Sequence, residues 1–437
     1  MSMTATTPTQ IKTKAETALA EAFAREFANL PGDEAAQVSR RAAMAKFAAT
    51  GLPHRRIEEW KYTDLRSLLK DVPATPDKAS DAAVAALVAQ VTKGIDAATF
   101  VFVDGRLASG SDAVPAGITV TSLAKSLRSN AETLAEVPSA NIDSGASSLA
   151  ALNTAFASDG AVIRIDDGAK PARPIHLVFI ASAAATVRNR IVAGAGCEAT
   201  VIESHVSVAG GNRQENAICE VTIGDKAVLH HASSCVTEAG SVHLGHTIAA
   251  LGSQALYKPF QLTVGDGVVR QQFTVSFDGE HTAFDFAAAT LARGGGHADT
   301  TMVIHHTVPH CTSRELFKTV LDGNGRAIFQ GKVIVDKIAQ KTDGKQMAKA
   351  LMLSPTAEFD SKPELEIYAD DVACGHGSTC AEIDPDLIFY CRSRGIPESQ
   401  ARALLIDSFV GEAIDKIDSP DVRQAFSAIA MAWLAGK

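Results

Sequence analysis

The amino-acid sequence predicts a mainly β protein, a flattened parallel β-helix (solenoid) flanked by helical N-terminal and C-terminal regions. Three observations predict this fold class. Residues 160–353 consist of short apolar or alternating runs separated by Gly, Asp and Asn, a texture typical of strands joined by turns. No helical pattern of useful length interrupts these runs, which excludes alternating strand–helix units. A weak sequence repeat also runs through the same segment.

The repeat is the pattern Gly-x-x-(Ala/Thr)-x-apolar, which begins at Gly196, Gly224, Gly252 and Gly279. The copies follow one another at nearly equal intervals, and a looser copy begins at Gly323 after a longer gap. A fixed period of this size, roughly 28 residues, is the signature of a stacked solenoid. A Greek-key sandwich also has many short strands but has no reason to keep a period, so the repeat favours the β-helix.

Composition sets broad limits on function. The chain has 437 residues, of which 46% are hydrophobic and 21% charged, values typical of a globular protein with two or three domains. The net charge of −9 argues against a general binder of nucleic acid or of anionic membranes. The seven cysteines are scattered and odd in number, which predicts reduced thiols and no disulfide framework. With no visible secretory leader and no apolar run long enough to span a membrane, we expect a cytoplasmic location.

The regions before and after the β-helix are predicted to be largely helical. Residues 14–50 predict two helices broken at Pro31-Gly32. We interpret Trp60 and Tyr62, which lie among charged residues, as an anchor that pins a helical arm to the body; a ligand-binding role is the alternative. Residues 71–158 are Ala-rich and mixed, so a boundary within them is placed only loosely. The predicted regions are 1–158 (helical or mixed), 159–382 (β-helix) and 383–437 (helical).

The C-terminal region predicts three short helices. The first opens at Asp384-Pro385 and ends at Gly395, the second begins near Pro397, and the third begins at Ser419-Pro420. Such helices could cap an open end of the solenoid or dock a partner, and the sequence leaves both roles open.

One segment combines metal-ligating side chains with flexible glycines. Cys374, His376 and Cys380 lie within seven residues, and Cys391 follows eleven residues later. Thiolate and imidazole suit zinc, copper and iron–sulfur chemistry. The spacing matches no common zinc ribbon or finger, so buried structural cysteines beside an inert histidine are the alternative.

Other histidines crowd the β region, where they form either a stacked ladder or a trail of metal ligands: His205, His230, His231, His243, His246, His281, His305, His306 and His310. The sequence contains no Walker A motif, no G-x-S-x-G and no H-E-x-x-H. We therefore expect a protein that is not an enzyme.

Two segments resemble a known family. Residues 338–379 (IAQKTDGKQMAKALMLSPTAEFDSKPELEIYADDVACGHGST) and 386–414 (DLIFYCRSRGIPESQARALLIDSFVGEAI) resemble the C-terminal core of the SufB/SufD family, the scaffold of the Suf iron–sulfur cluster assembly machine. Residues 51–69 (GLPHRRIEEWKYTDLRSLL) and the CGHGST segment resemble its SufD branch.

The resemblance implies a right-handed parallel β-helix that pairs with a SufB-like subunit through its end. It also implies that a SufC-like ATPase binds the C-terminal helices and that the nascent cluster forms at the SufB–SufD interface. The family's functional histidine corresponds to His376, and Cys374 matches the cysteine two residues before it. His376 is thus the best candidate ligand or proton relay and the one candidate metal ligand. The candidates for ATPase binding are Pro397, Leu404, Leu405, Phe409 and Ile414.

We therefore interpret the chain as a non-catalytic scaffold subunit for iron–sulfur cluster assembly, homodimeric when alone. We expect no cofactor to be stably bound to the isolated chain. In the complex we expect a transient iron–sulfur cluster, and a reduced flavin is a further candidate there. Two alternatives stay open, a carbohydrate-active β-helix protein and a stand-alone zinc or redox protein. The missing export signal weighs against the first, and elemental analysis would detect the second.

Overall fold

A computed structural model describes residues 12–72, 80–129, 132–135, 143–208, 210 and 212–436. The strands that it contains are β1 (Ala98–Val103), β2 (Arg106–Gly110), β3 (Ile118–Ser122), β4 (Ala161–Ile165), β5 (Ile175–Ala181), β6 (Ala184–Ala193), β7 (Glu198–Ser207), β8 (Arg213–Ile223), β9 (Val228–Thr237), β10 (Ser241–Leu251), β11 (Leu256–Gly265), β12 (Val268–Phe277), β13 (Ala283–Ala292), β14 (His297–His306), β15 (Thr312–Leu321), β16 (Arg326–Val335), β17 (Asp343–Met352), β18 (Glu358–Ile367) and β19 (Gly375–Ala381).

The helices are α1 (Lys14–Glu26), α2 (Glu34–Thr50), α3 (Leu65–Leu68), α4 (Asp81–Val91), α5 (Leu123–Arg128), α6 (Ser144–Phe156), α7 (Pro385–Ser393), α8 (Glu398–Ile414) and α9 (Pro420–Ala435), with short 3-10 turns at Phe27–Asn29 and Glu58–Trp60.

The strands form a parallel solenoid of about eight turns. Successive strands alternate between a ten-stranded sheet, ordered β19-β17-β15-β13-β11-β9-β7-β5-β1-β2, and a nine-stranded sheet, ordered β18-β16-β14-β12-β10-β8-β6-β4-β3. Among the described strands, only β2 and β3, at the N-terminal end, pair antiparallel with their neighbours. The predicted fold class is therefore confirmed.

Between β6 and β17, each turn that leads from the nine-stranded to the ten-stranded sheet contains one residue with left-handed backbone, and these residues form a column: Gly196, Lys226, Gln254, His281, His310 and Lys341. The prediction of a constant period is wrong. Glu198 pairs with Val228 and Val228 pairs with Leu256, so the first of these two steps is longer by two residues. The strands stay close to ten residues long, and the turns between them differ in length. The sequence repeat that begins at Gly196 is therefore shifted by two residues relative to the structural repeat. Gly323 lies between β15 and β16, in the opposite column of turns.

The N-terminal helices cover one side of the solenoid. Helices α2 and α6 pack together, and Leu149 and Leu152 of α6 contact Val242 and Leu244 on the outer face of the nine-stranded sheet. Within the predicted helical or mixed region 1–158, the strands β1, β2 and β3 already belong to the two sheets. The apolar run TFVFV at residues 99–103 already predicts a strand where β1 lies.

The C-terminal helices cover the opposite side. Ile406 and Val410 of α8 and Phe426 of α9 are buried against the outer face of the ten-stranded sheet, where Leu262 and Leu291 meet them. The helices therefore lie along the flank of the solenoid and leave its C-terminal end open.

Two predictions from composition can be compared with the structure. All seven cysteines are free, so the expectation of reduced thiols without a disulfide framework agrees with the fold. None of the helices in the described ranges combines the length and the apolar character needed to cross a membrane.

Candidate functional site

The C-terminal end of the solenoid is formed by β18 and β19, the last strands of the two sheets. In the sheet order each of them has a neighbour on one side only, β16 for β18 and β17 for β19. Unpaired edges of this kind present backbone donors and acceptors to another chain. The open end is therefore the part of the solenoid best suited to pairing.

The residues predicted from the CGHGST segment lie at this open end. Gln346 of β17 aligns with His376, and Ala350 aligns with Cys380. Since Gln346 and Ala348 point into the solenoid, His376 takes the same inward-facing side of the terminal strand. No further turn covers His376, so the imidazole is exposed.

A column of polar side chains continues beneath His376. In the register of the ten-stranded sheet, His376 lies over Gln346 and Gln346 lies over Glu315. Both side chains below are almost fully buried, and neither the amide of Gln346 nor the carboxyl group of Glu315 has a hydrogen-bond partner among the described residues. Burial raises the pKa of Glu315 to about 8. The open end thus holds polar groups whose hydrogen-bonding capacity is unused, an arrangement that is costly for stability alone.

Cys374 lies next to this column. Its thiol is half-buried, and burial raises its pKa, with the carboxylates of Asp343 and Glu315 acting in the same direction. The thiol is therefore mostly protonated at neutral pH. Because the thiolate is the metal-binding form, Cys374 can act as a ligand only if a metal ion or a base causes it to lose its proton.

The four ligating residues of the sequence motif do not gather around one point. The chain runs extended through β19, so His376 and Cys380 are about 13 Å apart along the strand. Cys391 lies on α7, beyond the strand. A single ion cannot be held by all of these residues, and among the described residues the groups of side chains close enough to share an ion lie elsewhere. The stand-alone metal cluster between Cys374 and Cys391 is therefore not assembled here.

The histidine ladder exists in part. His281 and His310 stack in the column of left-handed turn residues, with ring centroids 4.8 Å apart and planes 14° from parallel. His205, His231 and His243 instead point into the solenoid and are buried.

The candidates for ATPase binding divide into two groups. Pro397, which immediately precedes α8, and Leu404 on α8 are exposed, whereas Ile414 at the end of α8 is buried against the sheet. Leu405 and Phe409 are intermediate, and the ammonium group of Lys318 lies 4.5 Å from the centroid of the Phe409 ring.

The neighbouring helix α7 adds an apolar surface that the sequence reasoning had not singled out. Leu387, Phe389 and Tyr390 are all exposed, Phe389 by 74%. No residue of α7 is buried. A helix with this much exposed apolar surface is a common sign of a contact with another protein.

Gln346 and Glu315 are the site residues that sequence reasoning missed. They lie one and two turns of the solenoid before His376, and only the true register of the turns brings the three together. The signal that could have found them is the parity of the strands, because every second residue of each strand points inward.

Comparison with known proteins agrees with this architecture. Residues 179–409 match the sequence model of the SUF system FeS cluster assembly SufBD core domain, and residues 14–177 match that of the SufBD protein N-terminal region. An iron–sulfur cluster assembly SufBD family protein of Synechocystis sp. is 31% identical over 394 residues, 86% of each chain. The iron–sulfur cluster assembly protein SufD of Escherichia coli K12 is 30% identical over 390 residues, 86% of this chain and 88% of that one. SufD of Bacillus subtilis is 26% identical over 286 residues, 64% and 65% of the two chains. The resemblance seen in the sequence is thus confirmed, and the chain belongs to the SufBD family of iron–sulfur cluster assembly proteins.

Proposed function

We propose that the chain is a non-catalytic scaffold subunit whose open end pairs with a SufB-like subunit, and that the nascent iron–sulfur cluster forms as cargo at that interface. Membership of the SufBD family supports the general role in cluster assembly. The observation that carries the finer proposal is the position of His376, exposed in the last strand of an open solenoid.

The two strands at the open end differ in a way that favours β19 as the pairing edge. Strand β18 contains Pro363 and five charged residues, features that protect an edge strand from pairing. Strand β19 has the sequence GHGSTCA, without aspartate, glutamate, lysine, arginine or proline. A partner that adds a strand at β19 would lie directly beside His376.

His376 has suitable chemistry for such an interface. Neutral imidazole binds iron and exchanges protons near neutral pH. Gly375 has open space where a side chain would be, which leaves the imidazole accessible from that side. The buried amide of Gln346 below it has unused hydrogen-bonding capacity with which it can orient the ring.

The ATPase site of the proposal is the exposed surface of the C-terminal helices. Leu404 is 53% exposed on α8, and the apolar side chains of α7 extend the same region of the chain. A SufC-like ATPase that covered these side chains would bury apolar surface that water now contacts, which is a favourable source of binding energy.

The remaining parts of the proposal concern cofactors, the oligomeric state and the location, and they rest on the resemblance to the family. Neither an iron–sulfur cluster nor a flavin binds stably to the isolated chain; the cluster is transient, and a reduced flavin is a candidate only for the complete complex. The isolated chain forms a homodimer through the same open end and acts in the cytoplasm.

The test is reconstitution of cluster formation in a complex purified with SufB-like and SufC-like partners. His376→Ala should leave complex assembly and melting temperature unchanged and should lower cluster yield. Ser378→Ala is the matched control, because it is exposed on the same side of the same strand. Normal cluster yield with His376→Ala would refute the role of the histidine, and failure to co-purify with either partner would refute the scaffold assignment.

A further inference from the structure

The interior of the solenoid becomes polar between β7 and β10. Most inward positions of the solenoid carry side chains such as Leu, Ile and Phe, but here they carry Glu203 on β7, Cys219 on β8 and His231 on β9. Each of these three side chains is at least nine-tenths buried. Buried ionisable groups are costly unless they are paired or bind a metal ion.

The three side chains converge on one point. The Glu203 carboxylate oxygen, the Cys219 Sγ and a His231 ring nitrogen all lie within 4.8 Å of one another. The separation between His231 Nε2 and Glu203 Oε1 is 3.7 Å, which is too long for a hydrogen bond. Two ligands of one tetrahedral ion, each bonded at about 2.0–2.3 Å, lie about 3.3–3.7 Å apart. The observed spacing therefore fits two ligands of one ion better than a direct contact.

His231 is the observation that points to a ligand. Its Nε2 atom is buried without a hydrogen-bond partner. Its other ring nitrogen, Nδ1, lies 2.9 Å from the Tyr257 hydroxyl. With the proton on Nδ1 donated to Tyr257, the lone pair of Nε2 faces the Glu203 carboxylate. A hydrogen bond at the second nitrogen is the usual way in which proteins orient a metal-binding histidine.

A small cavity and a second supporting contact complete the site. Glu203, Cys219 and His231 line a cavity of about 20 Å³, enough for one ion or one water molecule. Glu203 Oε1 accepts a hydrogen bond of 3.1 Å from the Asn189 amide. This contact fixes the orientation of the carboxylate.

A neighbouring group, formed by His205, Glu215 and His243, is linked to the site because His205 Nε2 lies 3.4 Å from Glu203 Oε2, but its ring nitrogens have no unused hydrogen-bonding capacity. Glu215 accepts hydrogen bonds from His205 Nδ1 at 3.1 Å and from His243 Nδ1 at 2.8 Å. His243 Nε2 is in turn 2.9 Å from the Gln271 amide. Because these side chains use their polar atoms in hydrogen bonds with one another, a buried hydrogen-bond network accounts for them without a bound ion.

We propose that Glu203, Cys219 and His231 bind one borderline divalent transition ion, Zn²⁺ or Fe²⁺, inside the solenoid. Imidazole, thiolate and carboxylate together select this class over Mg²⁺ and Ca²⁺, which prefer oxygen ligands. Cys219 belongs to the nine-stranded sheet and the other two ligands to the ten-stranded sheet, so the ion ties the two walls together. The site lies five strand spacings, about 24 Å, from the strand that carries His376, and is thus independent of the proposed cluster-assembly surface.

We expect the ion to enter most readily during folding, because all three ligands are at least nine-tenths buried in the folded chain. The test therefore unfolds the full chain in denaturant with a chelator, removes both, and refolds it with Co²⁺ as the probe. We expect about one tightly held Co²⁺ per chain, a thiolate-to-cobalt charge-transfer absorption, and a higher melting temperature than after refolding without metal. Absence of this absorption in the wild-type chain would overturn the proposal.

Variants assign the sulfur ligand. Cys219→Ser should abolish the absorption, whereas Cys197→Ser, which removes another buried thiol of the same solenoid, should keep it. A chain with both Cys374→Ser and Cys380→Ser should also keep it, which separates the interior site from the open end. Persistence of the absorption in Cys219→Ser would overturn the assignment. If Cys219→Ser does not fold, X-ray absorption on the wild-type chain decides, because one sulfur and at least two nitrogen or oxygen neighbours are expected around cobalt and a shell without sulfur would refute the site.

Discussion

The Arg270 guanidinium lies over the face of the Trp60 ring, with its central carbon 3.7 Å from the ring centroid. Both side chains are fully buried. Arg270 also pairs with the Asp299 carboxylate, and the Trp60 indole donates a hydrogen bond of 2.9 Å to Asp143 at the start of α6. The contact joins the N-terminal arm to the nine-stranded sheet, which confirms the interpretation of Trp60 as an anchor.

Replacing Trp60 should therefore destabilise the chain strongly. Trp60→Ala is expected to lower the free energy of unfolding by about 3–5 kcal/mol, because it leaves a cavity and removes the aromatic face that covers the buried Arg270. Tyr62→Ala is the control, since Tyr62 is only half-buried, and should cost less. Equal losses for the two variants in denaturant titrations would contradict the anchor.

Glu315 should make stability depend on pH. Burial raises its pKa from 4.5 to about 8; Asp285 adds to the rise, while Ser313 and Arg314 oppose it. In the folded chain the carboxyl group keeps its proton until about pH 8, whereas in the unfolded chain it loses the proton near pH 4.5. Between these values the unfolded state binds fewer protons, so this group's contribution to stability falls as pH rises.

The measurement is the melting temperature across that pH range for wild type and Glu315→Gln. The neutral amide cannot ionise, so the variant should lose this part of the pH dependence and gain stability relative to wild type at pH 7–8. Glu382→Gln, which changes an exposed carboxylate, should keep the wild-type slope. An unchanged slope in Glu315→Gln would show that the carboxyl group is already ionised in the fold.

The C-terminal helices should tolerate substitution of an exposed residue but not of a buried one. Leu404→Glu is expected to keep the melting temperature and to weaken binding of a SufC-like ATPase, because the side chain is exposed on α8. Ile406→Glu, two residues away, should unfold the tail, since it would bury a carboxylate against the ten-stranded sheet. Unaltered ATPase binding by Leu404→Glu in a pull-down experiment would remove this face of α8 from the proposed interface.

The edge of β19 should control the homodimer. Thr379→Lys places a charge on an edge strand that lacks lysine, arginine and acidic residues, and is expected to convert the dimer to a monomer in light scattering. Ala108→Lys, on the exposed strand β2 at the opposite end, should leave the dimer intact. A wild-type chain that is monomeric at micromolar concentration would refute the dimer itself.

The sequence predicted the fold class well because its evidence is local. Strand alternation and turn residues are visible within each single turn of the solenoid, and the resemblance of the CGHGST segment to the family points to His376 and Cys374 as candidates. Register could not be obtained in this way, since turns of unequal length conceal which residues stack. For that reason Gln346 and Glu315 were missed, and Cys380 was grouped with His376 although an extended strand holds them apart.

The interior metal ligands were hidden for a related reason. Glu203 and His231 are polar residues in alternating strands, and such residues normally face water. The histidines were noticed, but the sequence could not tell an outward ladder from an inward cluster, because a shift of one residue exchanges the two faces.

The two ends of the solenoid are built differently, and this difference has a consequence for the proposed pairing. At the N-terminal end, β2 and β3 are only five residues long and run antiparallel to their neighbours, whereas β18 and β19 continue the parallel sheets. If both ends offered matching parallel edges, head-to-tail addition would have no natural stop and would yield filaments. In the proposed pairing only the C-terminal end is used, so each contact would occupy the surface that another chain needs and growth would stop at a pair. A second copy and a SufB-like subunit would then compete for the same end, and the SufB-like subunit would have to displace one copy of the proposed homodimer.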